Sequence, residues 1–177
     1  FYTSALPVPA NTYPGLQIAE FRLYYSCFEN GSAMYLCVAI SNDLGKSWQK
    51  PLTNDFPYNN SVPTNRVFCV NISSPGSWPG SVMIDSRQGV PSTERFKLTY
   101  EGAGGLRYIY IATSQDGIQW SRRDPEEPIF PVRLFSDTQT AIVYDSTTNR
   151  YLAFGRKDSS LPGNTSFGCY GGYPSLR

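Results

Sequence analysis

The chain has 177 residues, 40% hydrophobic and 15% aromatic, with Gly 15 and Pro 14; it is long enough to bury a core and too apolar and aromatic for a disordered segment. Its 15 basic and 14 acidic residues leave a net charge of +1, which gives no electrostatic case for nucleic acid or an anionic membrane as the main partner. The complete lack of histidine removes His-based triads, HExxH zinc sites and imidazole general bases, so any catalysis rests on carboxylates, Tyr, Lys, Arg or Cys.

The opening "FYTSALPVPA" lacks the basic start and apolar core of a signal peptide, and no apolar run approaches the roughly 20 residues of a membrane helix. The missing initiator Met and the abrupt "GGYPSLR" at the other end make the chain read as a fragment. Residues 20–41 predict a hairpin: "EFRLYYSCF" alternates large apolar and polar residues, "ENGSA" carries an Asn-Gly turn signal, and "MYLCVAIS" returns. Residues 94–102 and "LRYIYIATS", joined through a Gly-rich turn, predict a second hairpin. Residues 141–156 predict a third, turning at "STTN". Between them, residues 52–65 and 124–135 are Pro-rich and show no strand alternation, so they read as unit boundaries. No helical period persists beyond about two turns.

The hairpins repeat. Tyr35, Ala39, Ser41 and Asp43 align with Tyr108, Ala112, Ser114 and Asp116 at a constant offset, Trp48 aligns with Trp120, and Phe21 with Phe96. Tyr151 then matches Phe96 in a third unit. Antiparallel units of about four strands recurring over roughly 40–75 residues are the sequence signature of β-propeller blades. The expected fold is therefore all-β: one partial β-propeller domain over residues 1–177, with two to three blade-like units at about 16–51, 65–123 and 136–177. Asp43 and Asp116 sit in tight turns where a short carboxylate accepts backbone N–H bonds, and Gly45 and Gly117 supply positive φ. Their expected role is structural, with Trp48 and Trp120 folding back onto the unit.

The four cysteines, Cys27, Cys37, Cys69 and Cys169, match no CxxC metal spacing, so no metal site is expected from them. With a turn near residues 29–33, Cys27 faces about residue 34, three positions from Cys37, and no bridge between these two is expected. Sequons at Asn30, Asn59, Asn71 and Asn164 favour a secreted or extracellular protein, where one or two disulfides are possible.

The stretch "SNDLGKSW" resembles the Asp box of sialidases. The order "FRLYYSC", "VAISNDLGKSWQKP", "VMIDSRQGVPSTERFKLTYEG", "YIATSQDGIQWSRRDPEEPIF" and "LFSDTQTAIVYDSTTNRYLAFGR" resembles more. It is similar to the five-bladed propellers of glycoside hydrolase families 32 and 43, and most closely to proteins with a family-32 N-terminal-like domain, over roughly residues 18–157. That resemblance implies a carbohydrate-active propeller that hydrolyses glycosidic bonds with paired carboxylates near the axis, without a cofactor. Asp85, in "IDS" where the family has "RDP", matches the carboxylate that stabilises the transition state. Asp137, in "LFSDTQT", matches the general acid, where invertases have Glu followed by Cys. The nucleophile has no counterpart, since "FYTSALPVPANTYPG" contains no acid.

Arg156 and Trp78 are the candidate substrate-binding residues, one ending an inner strand, the other a large aromatic just before one. Structural alternatives stand beside each: turn caps for Asp85 and Asp137, a solvated strand end for Arg156, a loop anchor for Trp78. Asp145 reads as a hairpin Asp, and Glu94 with Arg95 as a surface pair or loop anchor. The degenerate "IDS" and the absent nucleophile also favour a non-catalytic propeller that binds glycan or protein. A sialidase-like activity is weaker, because no triad of axial arginines can be assembled.

Overall fold

The computed structural model describes residues 3–29, 33–58, 62–70, 78–101, 108–122, 127–129 and 140–155. They form antiparallel strands, one short 3₁₀ turn at Ser92–Glu94, and no α-helix among the described residues. The first sheet combines β1 (Thr3–Val8), β2 (Glu20–Glu29), β3 (Ala33–Ser41) and β6 (Arg66–Cys69) in the order β1-β2-β3-β6. The second orders β7 (Pro79–Ile84), β8 (Phe96–Glu101), β9 (Ile109–Ser114) and β10 (Trp120–Arg122) as β7-β8-β9-β10. The third hairpin pairs β11 (Ala141–Asp145) with β12 (Arg150–Phe154) around residues 146–149.

Two boundary readings change. Residues 52–65 are not strand-free: β4 (Thr53–Tyr58) pairs antiparallel with β5 (Val62–Thr64). Thr53 Oγ1 donates to Arg66 O at 2.8 Å and Thr64 Oγ1 to Phe56 O at 2.7 Å, so side-chain hydroxyls close a Pro-broken ladder that alternation could not reveal. The first sheet also runs from residue 3 to residue 69, because β1 and β6 join it. Most of residues 124–135 lie outside the described residues.

The register confirms that the first two hairpins are equivalent. Phe21 pairs with Ser41 and Phe96 with Ser114. Trp120 pairs with Ser114, and the Ile40–Gln49 bridge sets Trp48 opposite Ser41. On the preceding strands Pro7 faces Phe21, Ile84 faces Phe96 and Tyr144 faces Tyr151, which aligns Ser4 with Ser81 and Val82 with Ile142.

The side-chain period of two gives each sheet two distinct faces. Tyr24, Leu36 and Val38 of the first sheet meet Phe96, Leu98, Tyr100 and Ala112 of the second, and all are nearly or fully buried. Burying each large apolar side chain there contributes about 1.5–3 kcal/mol. A smaller cluster of Met83, Ile111 and Ile142 joins the second sheet to the third hairpin.

β7 lies beside both β1 and β11 and is stapled to them by serine. Val82 N–H donates to Ser4 Oγ at 3.2 Å, and one unit later Ile142 N–H donates to Ser81 Oγ at 3.1 Å. Ser81 Oγ also donates to Thr140 O at 3.1 Å, and Thr99 Oγ1 reaches the same carbonyl at 2.5 Å. Gly80 is required beside this knot, since a Cβ there would lie 2.7 Å from Thr99 O and 3.1 Å from Thr140 O.

The cysteine expectation is corrected. Cys27 pairs with Tyr35 and Tyr25 with Cys37, so Cys37 is two positions from Cys27's partner, on the same face. The Cα atoms are 6.0 Å apart and the sulfurs form a disulfide. Counting the turn one residue differently moved Cys37 to the wrong face, because a slip of one reverses a strand's sides. Cys69 is free and buried, and burial raises its thiol pKa.

Two outcomes are expected. Ser81→Ala leaves the Ile142 N–H without an acceptor and should cost about 1–3 kcal/mol in urea denaturation. Intact-mass analysis with and without reductant should show a 27–37 bridge, and reducing it should cost about 2–3 kcal/mol by loop-closure entropy.

Candidate functional site

Asp85 directly follows β7, where its N–H donates to Arg95 O at 2.8 Å and Arg95 Nη1 returns to Asp85 O at 2.7 Å. This backbone clasp stops the strand and turns the carboxylate inward. Asp85 is 1% exposed. Its Oδ1 accepts Arg87 Nε at 2.9 Å, its Oδ2 accepts Arg87 Nη2 at 2.8 Å, and Tyr151 Oη donates to Oδ2 as well. Lys97 Nζ stands 3.3 Å from Oδ2. The guanidinium of Arg87 is held between the rings of Tyr144 and Tyr151, 4.4 and 4.5 Å from their centroids. The cluster thus ties the end of β7 to the third hairpin.

Burial on its own would raise the Asp85 pKa. The hydrogen bonds from Arg87 and Tyr151 and the charge of Lys97 outweigh it and hold the carboxyl well below the usual carboxylate range. Tyr151 moves up, by burial first and then by its bond to the Asp85 carboxylate. Lys97 Nζ also donates to Glu94 O at 2.8 Å and lies 3.7 Å from Glu94 Oε2. Asp85 is therefore a charged, fully coordinated anchor, with no oxygen directed at solvent.

Beside the cluster lies an open cleft of about 380 Å³, lined by Arg87, Gln88, Glu94, Lys97, Thr113 and Tyr151 among others. It offers amide, carboxylate, hydroxyl and cationic groups around an aromatic ring. Asp116 lines a second cleft with Tyr13, Thr93, Ser114 and Gln119.

The Asp turns hold local structure, as expected. Asp43 Oδ1 accepts from Ser47 N at 2.8 Å and Ser41 Oγ at 2.7 Å, and Oδ2 accepts Ser47 Oγ at 2.6 Å. The Ser47 bonds lower its pKa to about 2. Asp116 Oδ1 accepts from Ile118 N and Gln119 N at 2.8 and 2.9 Å. The second turn is also gripped from outside. Arg22 Nη1 donates to Asp116 O, and Tyr24 Oη donates to Gly117 O at 3.1 Å. Arg22 is 1% exposed, with Nε 2.5 Å from Glu20 Oε1 and Nη2 2.7 Å from Tyr13 Oη. Burial pushes the Tyr24 pKa up to about 12, against the nearby Arg22 charge.

Asp137 and Arg156 lie outside the described residues. Trp78 is at the opposite end of β7 from Asp85, with its ring edge-on to Phe28 at 6.0 Å, so the two do not share a cleft. Asp145 caps its hairpin through Thr147 N and Thr148 Oγ1, and Arg95 is a loop anchor. Sequence reasoning alone does not single out Arg87, Lys97 and Tyr151 as site residues. The D-x-R spacing of Asp85 and Arg87 was the visible signal for one of them. Among the described residues no group of three or more His, Cys, Asp or Glu side chains could hold a metal, and no helix is long and apolar enough to cross a membrane. The chain matches no family model, no curated protein and no solved structure.

The sign of the Asp85 shift sets a pH test. A carboxyl more acidic folded than unfolded stabilises fully above about pH 5, and that contribution is lost as pH falls through the folded value. Asp85→Asn takes from buried Lys97 its nearer carboxylate, leaving only that of the more exposed Glu94, and should cost about 3–5 kcal/mol at pH 7. Urea midpoints measured from pH 7 down to pH 2 should then fall less steeply for the variant than for the parent.

Proposed function

We propose that the chain is part of a β-propeller that binds carbohydrate in the cleft beside Asp85 without using this carboxylate as acid, base or nucleophile. The carrying observation is the closure of Asp85: both oxygens are taken by Arg87, Tyr151 and Lys97. A general acid needs a shared or raised proton and an approach to the glycosidic oxygen, and this group has neither. What remains open is the neighbouring cleft, whose mixed donors and acceptors beside Tyr151 suit hydroxyl recognition. The propeller reading is supported by the equal hairpin registers, the adjacency of β1, β7 and β11, and the repeated serine staple. The Cys27–Cys37 disulfide supports an oxidising, extracellular setting.

One observation favours glycoside hydrolysis as a second reading. Asp85 is held ionised by two cations, the state required of a carboxylate that stabilises oxocarbenium-like charge from beneath the site. In that reading Asp137 is the acid.

A glycan array followed by calorimetry on the best ligand separates these readings. Gln88→Ala and Glu94→Gln line the cleft, and each should weaken binding about tenfold, the equivalent of ~1.4 kcal/mol, with an unchanged melting temperature. No glycan bound, or variants that bind like the parent, would sink the binding proposal. Release of sugar from aryl glycosides by the parent, abolished in Asp137→Asn, would establish the hydrolase instead.

A further inference from the structure

The face that the second sheet buries completely is closed in the first sheet along β3, where Tyr35, Cys37, Ala39 and Ser41 are buried, and stays partly open along β2. Phe96, Leu98 and Tyr100 are 0% exposed against the first sheet. Their register equivalents Phe21, Leu23 and Tyr25 are only partly buried. Asn65 and Phe56 cover the far end of this face, through Tyr25 Oη at 2.7 Å and the Tyr35 ring. At the near end Trp48 is 41% exposed, and Leu44, in the same turn, is 79% exposed.

We propose that this face is the docking surface for a further antiparallel sheet that presents an Arg-x-Tyr strand, as the first sheet presents Arg22 and Tyr24 to the second. This inference does not depend on carbohydrate binding. The occupant follows from the interface already described. Over Phe96 stands Arg22, 5.3 Å from the ring centroid, with its Nη1 on Asp116 O and Tyr24 Oη on Gly117 O. The first turn offers the same motif. Its Gly45 carbonyl, equivalent to that of Gly117, is covered by the protein's own Trp48, whose Nε1 donates to it at 3.1 Å. In the second turn Tyr24 holds that carbonyl, and the Trp120 Nε1 is buried without a hydrogen-bond partner. Trp48 therefore stands where an arriving tyrosine would go, and docking moves it from solvent onto the incoming sheet, as Trp120 packs on Tyr24 at 6.4 Å. A second copy of the chain fits poorly as occupant, because its own Arg22 and Tyr24 are buried in its interior.

The test places a duplicate of residues 1–77 ahead of the full chain, which preserves the spacing between Pro7 and Ile84, equivalent positions of successive inner strands. The tandem should melt ~5 °C or more above the chain, and Trp48 emission should shift to the blue and resist acrylamide. Arg22→Ala with Tyr24→Phe in the leading copy should remove both effects. A tandem that melts with the chain and leaves Trp48 quenchable overturns the proposal. So does a concentration-dependent dimer of the chain that protects Trp48, since a second copy is then the occupant. In the chain itself Leu23→Glu should move the melting temperature by less than ~2 °C, whereas Leu98→Glu should unfold it; equal damage would mean the face is already filled.

Discussion

A guanidinium buried between two sheets is the constraint on which this molecule rests. Arg22 has lost its water, and such a charge is tolerated only when every direction is answered by an acceptor or a ring face. Glu20 supplies the counter-charge, Tyr13 and Tyr24 supply oxygens, and Phe96 supplies a flat surface. The last acceptor is the Asp116 carbonyl, a backbone atom of a different sheet. That carbonyl is presented only when Ser114 and Asp116 have wound their turn correctly. The local turn and the global packing of the sheets thus satisfy one another, and neither is complete alone.

One position further round, the same logic takes another form. Lys97 follows Phe96 as Arg22 follows Phe21, and like Arg22 it lies on the sheet face turned toward the next unit. There it meets Asp85 and the ring of Tyr151. A cation at this place in each of the first two units is a joint between neighbours. This explains why a carboxylate suggestive of chemistry by sequence is bound up in holding two units together. Its acidity is a consequence of the joint, and the open cleft beside it is what is left for a ligand.

Much of the fold was legible in the chain. Period-two alternation marks the three hairpins, and the spacing of Ser, Asp, Gly and Trp alone aligns two of them. The strands that escaped notice, β1 and β4 to β6, are short, interrupted by proline, or closed by hydroxyl bonds that leave no alternating trace. The disulfide was misjudged by a single residue of turn length, an amount that sequence does not resolve and that decides which face a side chain occupies. The site was legible only as a position. Asp85 was found at its strand end, but the charges that define it come from Arg87, Lys97 and Tyr151, and the last of these is 66 residues away in sequence. Pairings at that separation depend on how units stack, which no local pattern records.

The serine staples have one further consequence. β1 and β7 are the edge strands of their sheets, and an exposed edge is a template on which another chain can add a strand and begin to aggregate. Here the outward amide of Val82 is taken by the Ser4 hydroxyl, and Ser81 closes the carbonyl of Thr140 and the amide of Ile142. A hydroxyl satisfies these groups without supplying the continuous ladder that would let a stranger propagate from it. The neighbour that completes each sheet's packing also occupies its most adhesive edge, so a chain with many β-edges stays discrete as its units accumulate.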